Sequence, residues 1–383
     1  MKRIPIAVAI ATALAGTPLA VMAAEASINT TGTSNQAYVS QSGNQTESAV
    51  VVQSGNNNNV GTPGSGAYYY ANGGINQNYS NNAKVRVYQS GSSNSAGARQ
   101  DYVTNATATI QQSSGAYSKS ASITQTNGSS LTATIYQNNT QYGSAAIAQS
   151  GNNQRANVTQ QSGANYTNAS LSQSGFNNAA AAQQIGSTSY SSYYGTPSSS
   201  ITTSQSGNDN TASGLQDRVS GGNISISQSG SFNTANATQE RSTEGYYYYG
   251  YPYYYYGYGA APIGSSSIYQ TGFLNSASSV QQSAQSLSSS ISQSGNRNRA
   301  TTMQIGSSNS ASISQSGDDN IASVMQTGAS GSASITQVGS LHVASVQQSA
   351  ASSSTAWISQ TGAGQRASVT QVGSGHAAGI YQR

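Results

Sequence analysis

The stretch SASISQSGDDNIASVMQ, residues 310–326, decides the fold of this chain. In its first half, Ala311, Ile313 and Gln315 alternate with serines, and a period of two is typical of a β-strand that buries one face. In its second half, a glycine, two aspartates and an asparagine follow the glutamine, and these residue types favour a tight turn. One strand and one turn fill about eleven residues, and the pattern then starts again at Ala322.

This unit recurs through the chain, with the glutamine as its most regular member. The glutamines of the last third are Gln293, Gln304, Gln315, Gln326, Gln337, Gln348, Gln360, Gln371 and Gln382, at steps of 11 with a single step of 12. Related segments extend upstream, with slips of one residue, to ASINT at 26–30, where Thr30 takes the glutamine position. The repeat therefore covers most of the chain beyond residue 23.

The repeat predicts stacking, because one unit is too small to fold alone. Each unit buries one Ile or Val, which contributes about 1.5–3 kcal/mol, whereas ordering the backbone costs about 1–2 kcal/mol for each residue. Stacked strands bury a continuous core, and two strands with two turns give about 14 coils of about 22 residues, each rising about 4.8 Å. We expect an all-β fold, a parallel two-sided β-solenoid with cross-β-like stacking. A three-sided coil of about 33 residues is the alternative.

Glutamine, asparagine and glycine are the candidate structural residues of this solenoid. Stacked amides bond to one another along a ladder, which satisfies polar groups that are costly to bury alone. The predicted ladder contains Gln293, Gln304, Gln315, Gln326, Gln337, Gln360, Gln371, Gln382, Asn298, Asn309 and Asn320, and the predicted turn glycines are Gly295, Gly306, Gly317, Gly328 and Gly339. His342 and His376 occupy the asparagine position, so we interpret them as turn residues rather than catalytic groups or metal ligands.

Residues 1–23 have the pattern of a secretory signal peptide. Lys2 and Arg3 precede an apolar stretch that ends in Val21-Met22-Ala23, a small-x-small cleavage pattern. Cleavage lowers the formal net charge from +4 to about +2, and no basic stripe remains to favour nucleic acid. The chain has no cysteine, so disulfides and thiolate metal sites are excluded. We expect an exported protein held together by packing and hydrogen bonds.

Enzymatic chemistry is not indicated by the sequence. The nine acidic residues form no pair at a usable acid–base spacing, and no Gly-Gly-x-Gly-x-Asp calcium unit occurs. We therefore expect no catalytic site, no metal site and no cofactor.

Three insertions divide the repeats into the segments 24–60, 75–184, 201–239 and 265–383. The insertions, residues 61–74, 185–200 and 240–264, contain Pro63, Pro197, Pro252 and Pro262, and proline is typical of loops rather than ladders. The third holds ten tyrosines, namely Tyr246, Tyr247, Tyr248, Tyr249, Tyr251, Tyr253, Tyr254, Tyr255, Tyr256 and Tyr258. It is interpreted either as a flexible low-complexity loop or as an adhesive surface for polysaccharide or abiotic material.

The unit Ser-x5-Gln-x-Gly-x2-Asn-x-Ala-x3-Gln resembles the curlin repeat of curli fibre subunits, the functional amyloid of Gram-negative biofilms. The matching positions are Gln315, Gly317, Asn320, Ala322 and Gln326 in one segment and Gln293, Gly295, Asn298, Ala300 and Gln304 in another. The chain departs from typical curlins by its many repeats, its three insertions and the lack of a distinct N-terminal secretion segment. These departures leave its role as major subunit, nucleator or relative open.

The resemblance implies a secreted structural subunit that self-assembles into extracellular curli-like fibres for biofilm matrix and cell adhesion. It also implies a curli-type outer-membrane secretion pore and a nucleator or another curlin subunit as partners. The alternative is a monomeric β-solenoid that binds a surface or ice through its outward Ser and Thr rows, and composition alone also fits disorder.

The last residues predict head-to-tail growth. Residues 377–383 continue the strand pattern of 366–372, and an open strand edge templates another chain. The sparse charges are expected to slow this assembly; they are Arg297, Arg299, Asp318, Asp319, Arg366 and Arg383.

Overall fold

The computed structural model describes residues 24–42, 46–61, 74–113, 118–162, 164, 166–186, 199–219, 221–240, 264–282 and 286–383. The predicted signal peptide, nearly all of the three predicted insertions and the tyrosines from Tyr246 to Tyr258 lie outside the described residues. Within these ranges the chain forms strands and turns, and no helix there has the length and hydrophobicity that a membrane crossing requires.

The described residues form thirty strands. They are β1 (Glu25–Thr33), β2 (Gln36–Ala37), β3 (Val39–Ser42), β4 (Ser48–Asn56), β5 (Asn59–Val60), β6 (Ile75–Asn78), β7 (Lys84–Ser92), β8 (Ser95–Thr104), β9 (Thr107–Ser113), β10 (Ser120–Ser129), β11 (Thr132–Asn138), β12 (Ser144–Asn152), β13 (Arg155–Gln161), β14 (Thr167–Phe176), β15 (Ala179–Ile185), β16 (Ser199–Asn208), β17 (Thr211–Asp217), β18 (Asn223–Ser231), β19 (Thr234–Glu240), β20 (Ser265–Phe273), β21 (Ser276–Gln282), β22 (Ser288–Asn296), β23 (Arg299–Ser307), β24 (Ser310–Ser316), β25 (Ile321–Ala329), β26 (Ser332–Ser340), β27 (Val343–Ser352), β28 (Thr355–Ala363), β29 (Arg366–Val372) and β30 (Ala377–Gln382).

These strands alternate between two parallel sheets. The first sheet contains β1, β4, β7 and every second strand from β9 to β29; the second contains β2, β5 and every second strand from β8 to β30, with β3 and β6 beside them. From β7 onward, successive strands of the chain thus lie in opposite sheets, and each pairs with the strand two further on. The fold is a parallel two-sided β-solenoid of about 13 turns and about 23 residues per coil. This confirms the predicted fold class and excludes the three-sided alternative.

The space between the two sheets holds a thin core of stacked identical positions. Ala311 and Ile313 are buried, whereas Ser312 and Ser314 between them are exposed. Ala311 pairs in register with Ala333 of the next coil, and its neighbours follow the same register. One connected hydrophobic cluster formed in this way runs along the solenoid. The period of two therefore separates a buried face from a solvent face in each strand.

The turns differ from the sequence expectation in one respect. We expected each strand to end at its glutamine, but parallel pairing continues through the following glycine, as between Gly272 and Gly295. The chain reverses only at Arg297, whose φ is 54°, and Asn298. The reason is that each turn lies on an identical turn of the next coil, so the backbone groups of the turn also find partners in the stack.

The solenoid keeps its register across the insertions. In the uninterrupted part, stacked glutamines such as Gln315 and Gln337 are 22 residues apart. The pairs that span the insertions are Gln53–Gln89, Gln173–Gln205 and Gln228–Gln270, separated by 36, 32 and 42 residues. The additional residues therefore lengthen individual coils without shifting the strands on either side.

Candidate assembly site

A ladder of glutamine side chains runs through each sheet. In every link, Nε2 of one glutamine donates to Oε1 of the equivalent glutamine in the next coil, at 2.7–3.0 Å. The ladder of the first sheet begins at Gln53 and ends at Gln371, and that of the second sheet runs from Gln41 to Gln382. All eight predicted ladder glutamines lie in one or the other.

The same glutamines connect the two sheets. Nε2 of Gln315 also donates to the backbone carbonyl of Arg299, on the opposite sheet, at 3.1 Å, and Gln337 bonds Ile321 in the same way at 3.0 Å. Gln315 and Gln337 thus each use both amide hydrogens and the side-chain oxygen. Buried amides carry a high desolvation cost, so this complete pairing makes a polar core tolerable.

Asparagines form a further ladder along one edge of the solenoid. The Oδ1 atom of Asn298 accepts the backbone N–H of Asn320 at 3.1 Å, while Nδ2 donates to the Ser294 and Gly317 carbonyls at 3.3 and 2.7 Å. Six consecutive coils repeat this arrangement; their members are Asn178, Asn210, Asn233, Asn275, Asn298 and Asn320. The predicted Asn309 lies on the opposite edge, where its Oδ1 accepts the N–H of Gly331 at 2.8 Å.

His342 continues the asparagine ladder as a substitute for asparagine. It is fully buried, and its backbone N–H donates to Oδ1 of Asn320 at 3.1 Å. Its Nδ1 accepts the N–H of Gln365 at 3.3 Å, and Nε2 lies 3.2 Å from the carbonyl oxygen of Val338. The uncharged imidazole with a hydrogen on Nε2 satisfies both contacts, as an asparagine amide does elsewhere. His376 lies on the opposite edge, where Nε2 is 3.0 Å from the Val372 carbonyl oxygen.

The turn glycines permit the close approach of successive coils. Gly317 has a φ of +110°, and a Cβ built there lies 2.0 Å from the carbonyl oxygen of Gly339. Gly295, Gly306 and Gly339 show the same conformation and the same contact with a backbone oxygen in the next coil. Two independent constraints, the φ and the absence of space, therefore require glycine at this position.

Charged residues occur both on the surface and in the interior of the solenoid. On the surface, the Arg297 guanidinium donates two hydrogen bonds of 2.7 Å to the Asp319 carboxylate of the next coil and holds the pKa of Asp319 below its ordinary value. In the interior, burial raises the pKa of Glu47 to about 7, and burial lowers the pKa of Lys119 to about 8. Both buried residues take the turn position just before a strand. The sequence reasoning missed them because phase slips obscure the repeat in the first third of the chain.

Aromatic side chains also stack on the outside of the solenoid, apart from the predicted adhesive loop. The rings of Tyr79 and Tyr102 are parallel, with centroids 5.2 Å apart, and those of Tyr142 and Tyr166 are 4.8 Å apart. These residues have positive φ, and the two members of each pair lie at equivalent positions of successive coils. They are a second candidate contact surface that the sequence reasoning did not identify.

Both ends of the solenoid present open strand edges among the described residues. There, β1 pairs with β4 alone, β29 with β27 alone and β30 with β28 alone. Ile28, on the core face of β1, is 40% exposed as a result. Two buried ladder acceptors near these ends, Gln53 Oε1 and Gln365 Oε1, have no partner among the described residues.

A stack of identical coils with amide ladders and open ends defines a structural repeat protein of the β-solenoid class. The described residues contain no group of His, Asp and Glu side chains able to hold a metal ion. The family model of the curlin associated repeat matches residues 295–328 and 331–362. Residues 295–362 thus carry curlin associated repeats, and these repeats, together with the fold, point to a structural rather than a catalytic protein. No curated protein matches the sequence significantly.

Proposed function

We propose that this chain is a secreted structural subunit that self-assembles into extracellular curli-like amyloid fibres, which serve biofilm matrix and cell adhesion. The observation that supports the proposal is the pair of open ends of the solenoid, where the glutamine ladders stop. Gln382 donates to its own coil and to no further glutamine among the described residues, whereas Gln315 in the interior donates both to its own coil and to the next glutamine. A second copy stacked on this end extends both sheets and continues the glutamine ladder of the second sheet from Gln382 to Gln41, whereas in the first sheet Thr30 follows Gln371.

The proposal includes the partners and the route implied by the family. These are export by the signal peptide, passage through a curli-type outer-membrane pore of a Gram-negative bacterium, and nucleation by a nucleator or another curlin subunit. The Tyr246–Tyr258 loop is the proposed contact with polysaccharide or abiotic surfaces. Deletion of residues 246–258 should reduce adhesion of cells that display the fibre while leaving fibre formation intact; unchanged adhesion removes this role.

The test of fibre formation is diffraction and electron microscopy on the purified chain without residues 1–23, incubated in dilute buffer. The expected result is filaments with a meridional reflection at about 4.7–4.8 Å. A stable monomer in sedimentation velocity overturns the proposal. Thermal hysteresis measured on such a monomer then decides whether the outward Ser and Thr rows bind ice.

A further inference from the structure

We propose that copies of this chain join at one fixed register, in which residues 25–42 of the second copy form the coil that follows residues 366–383 of the first. The pair Arg366 and Glu25 of the second copy specifies this register. The inference rests on the proposed function and adds the residues that determine how subunits meet.

The two terminal segments share the core and turn pattern, with one difference at the ladder position, where Thr30 stands opposite Gln371. With a constant offset, the core and turn positions pair as Ala367 with Ala26, Val369 with Ile28, Gly373 with Gly32, Ala378 with Ala37, Ile380 with Val39 and Gln382 with Gln41. The backbone agrees as well, because φ is 103° at Gly373 and 107° at Gly32, and the next left-handed residues are Gly375 and Ser34. No insertion or deletion is needed over the 18 positions.

Hydrogen-bonding groups at the two ends are complementary in this register. From Asn178 to His342, the side-chain acceptor at this edge receives the backbone N–H of the equivalent residue one coil later, as His342 Nδ1 receives that of Gln365; the Oε1 of Gln154, earlier on the same edge, has no partner among the described residues. At the C-terminal end, Gln365 Oε1 is a buried acceptor without a partner among the described residues, and the residue that follows it at the joint is Ala24 of the second copy. In the glutamine ladder of the second sheet, Nε2 of Gln382 meets Gln41 of the second copy.

Outward-facing residues at equivalent positions of successive coils form a column on the second sheet, and the side chains of this column are sterically compatible across the joint. Trp357 lies over Gly379, where a built Cβ comes within 2.0 Å of the indole ring. The next residue of this column is Tyr38 of the second copy, which itself lies against a glycine, Gly74, in the following coil. Large rings and glycines therefore alternate through the joint, so each ring has the space that it needs.

The charges make the joint specific. Arg366 and Glu25 are exposed and occupy the same outward position of the first strand in their coils. The bidentate pair of Arg297 and Asp319 demonstrates that opposite charges at equivalent positions of neighbouring coils bond directly in this stack. Displacement of the joint by two residues instead places Glu25 beside Ser368. This role of Arg366 is opposite in sign to the slowing effect expected from the sequence.

The experiment measures elongation of preformed fibre seeds by monomer at low ionic strength, for Glu25→Arg, Arg366→Glu and the double variant. Each variant is seeded with its own fibres. Each single reversal should slow elongation about three- to tenfold, since an ion pair becomes a repulsion at every joint. The double variant should return to within about twofold of wild type, and 0.5 M salt should reduce the differences.

The matched control is Arg299→Glu, which makes the same charge change in the same outward column but inside the chain, between Ser276 and Ile321. It should elongate like wild type. Single variants that elongate like wild type, or a double variant as slow as the singles, overturn the joint but leave fibre formation standing. A wild-type chain that forms no fibres overturns both.

Discussion

Removal of one ladder glutamine should destabilise the solenoid by far more than the loss of one side chain at its surface. The change is Gln315→Leu, which keeps most of the side-chain volume and removes the amide. Gln315 accepts from Gln293 Nε2 and donates to Gln337 Oε1, both at 2.8 Å, and to the Arg299 carbonyl. The substitution therefore leaves one donor and two acceptors without their partner in the interior.

The magnitude follows from these three groups. A buried polar group that loses its partner costs about 1–3 kcal/mol, and the Arg299 carbonyl keeps its remaining contacts, so we expect a loss of about 3–6 kcal/mol. Ser314→Ala, one residue away on the solvent face, should change stability by less than about 0.5 kcal/mol. A further variant, Gln315→Ala, adds a cavity and should be worse than Gln315→Leu.

The assay is hydrogen exchange of the full chain, read by mass spectrometry on peptides along the solenoid. Because each coil contacts only its neighbours, protection should fall in β22, β24 and β26 and persist in β10 and β12. The ladder reasoning is refuted when Gln315→Leu and Ser314→Ala exchange alike in β22–β26. Loss of protection over the entire chain would contradict the local, coil-by-coil account of stability.

Three further substitutions test other parts of the stack. Gly317→Ala should lower the free energy of unfolding in denaturant by more than about 4 kcal/mol, because the new Cβ meets a backbone oxygen. The control Gly364→Ala has no atom within 4 Å of the new Cβ, so it should lose only about 1 kcal/mol from the strain of a positive φ. Thr30→Gln should provide the donor that the buried Gln53 Oε1 lacks and stabilise the first coils by about 1 kcal/mol, seen as slower exchange in β1 and β4; unchanged exchange would contradict this. Burial raises the pKa of Glu47 from its ordinary value of 4.5 to about 7 in the folded chain. The stability near β4 should therefore be greatest below pH 4.5 and decrease as the pH rises through 7. Glu47→Gln should abolish that decrease in a pH series of exchange rates.

The strand faces and the stacking were predictable from the sequence because the period of two admits only one assignment of inside and outside. A shift of one residue would expose Ile313 and bury Ser312, so the apolar positions determine the register. The choice of two sides over three also has a signal in the sequence. Successive turns carry Asn298, Asn309, Asn320, Gly331 and His342 at the asparagine position. Every second one of these residues lies on the edge with the long asparagine ladder, namely Asn298, Asn320 and His342.

The buried charges were not predictable in the same way. Glu47 and Lys119 follow segments in which the repeat slips, and their burial depends on which backbone stacks above and below them rather than on their immediate neighbours. The orphaned Gln53 Oε1 likewise results from a difference between two coils, since Thr30 stands where the preceding glutamine would donate. Such features depend on which residues are stacked on one another, so they can be predicted only after the strand register is known.

A polar ladder has a consequence for assembly that an apolar core does not have. An exposed apolar end loses burial in proportion to its area, and water tolerates a partly exposed Ile28 at modest cost. A ladder end, in contrast, has a fixed donor or acceptor with a defined direction, so only an equivalent amide at the coil spacing satisfies it as the interior does. Under the proposed function, each added chain pairs Gln382 with Gln41 and restores a full interior contact at the joint. The same bonds that align coils within one chain would therefore align successive chains along the fibre axis.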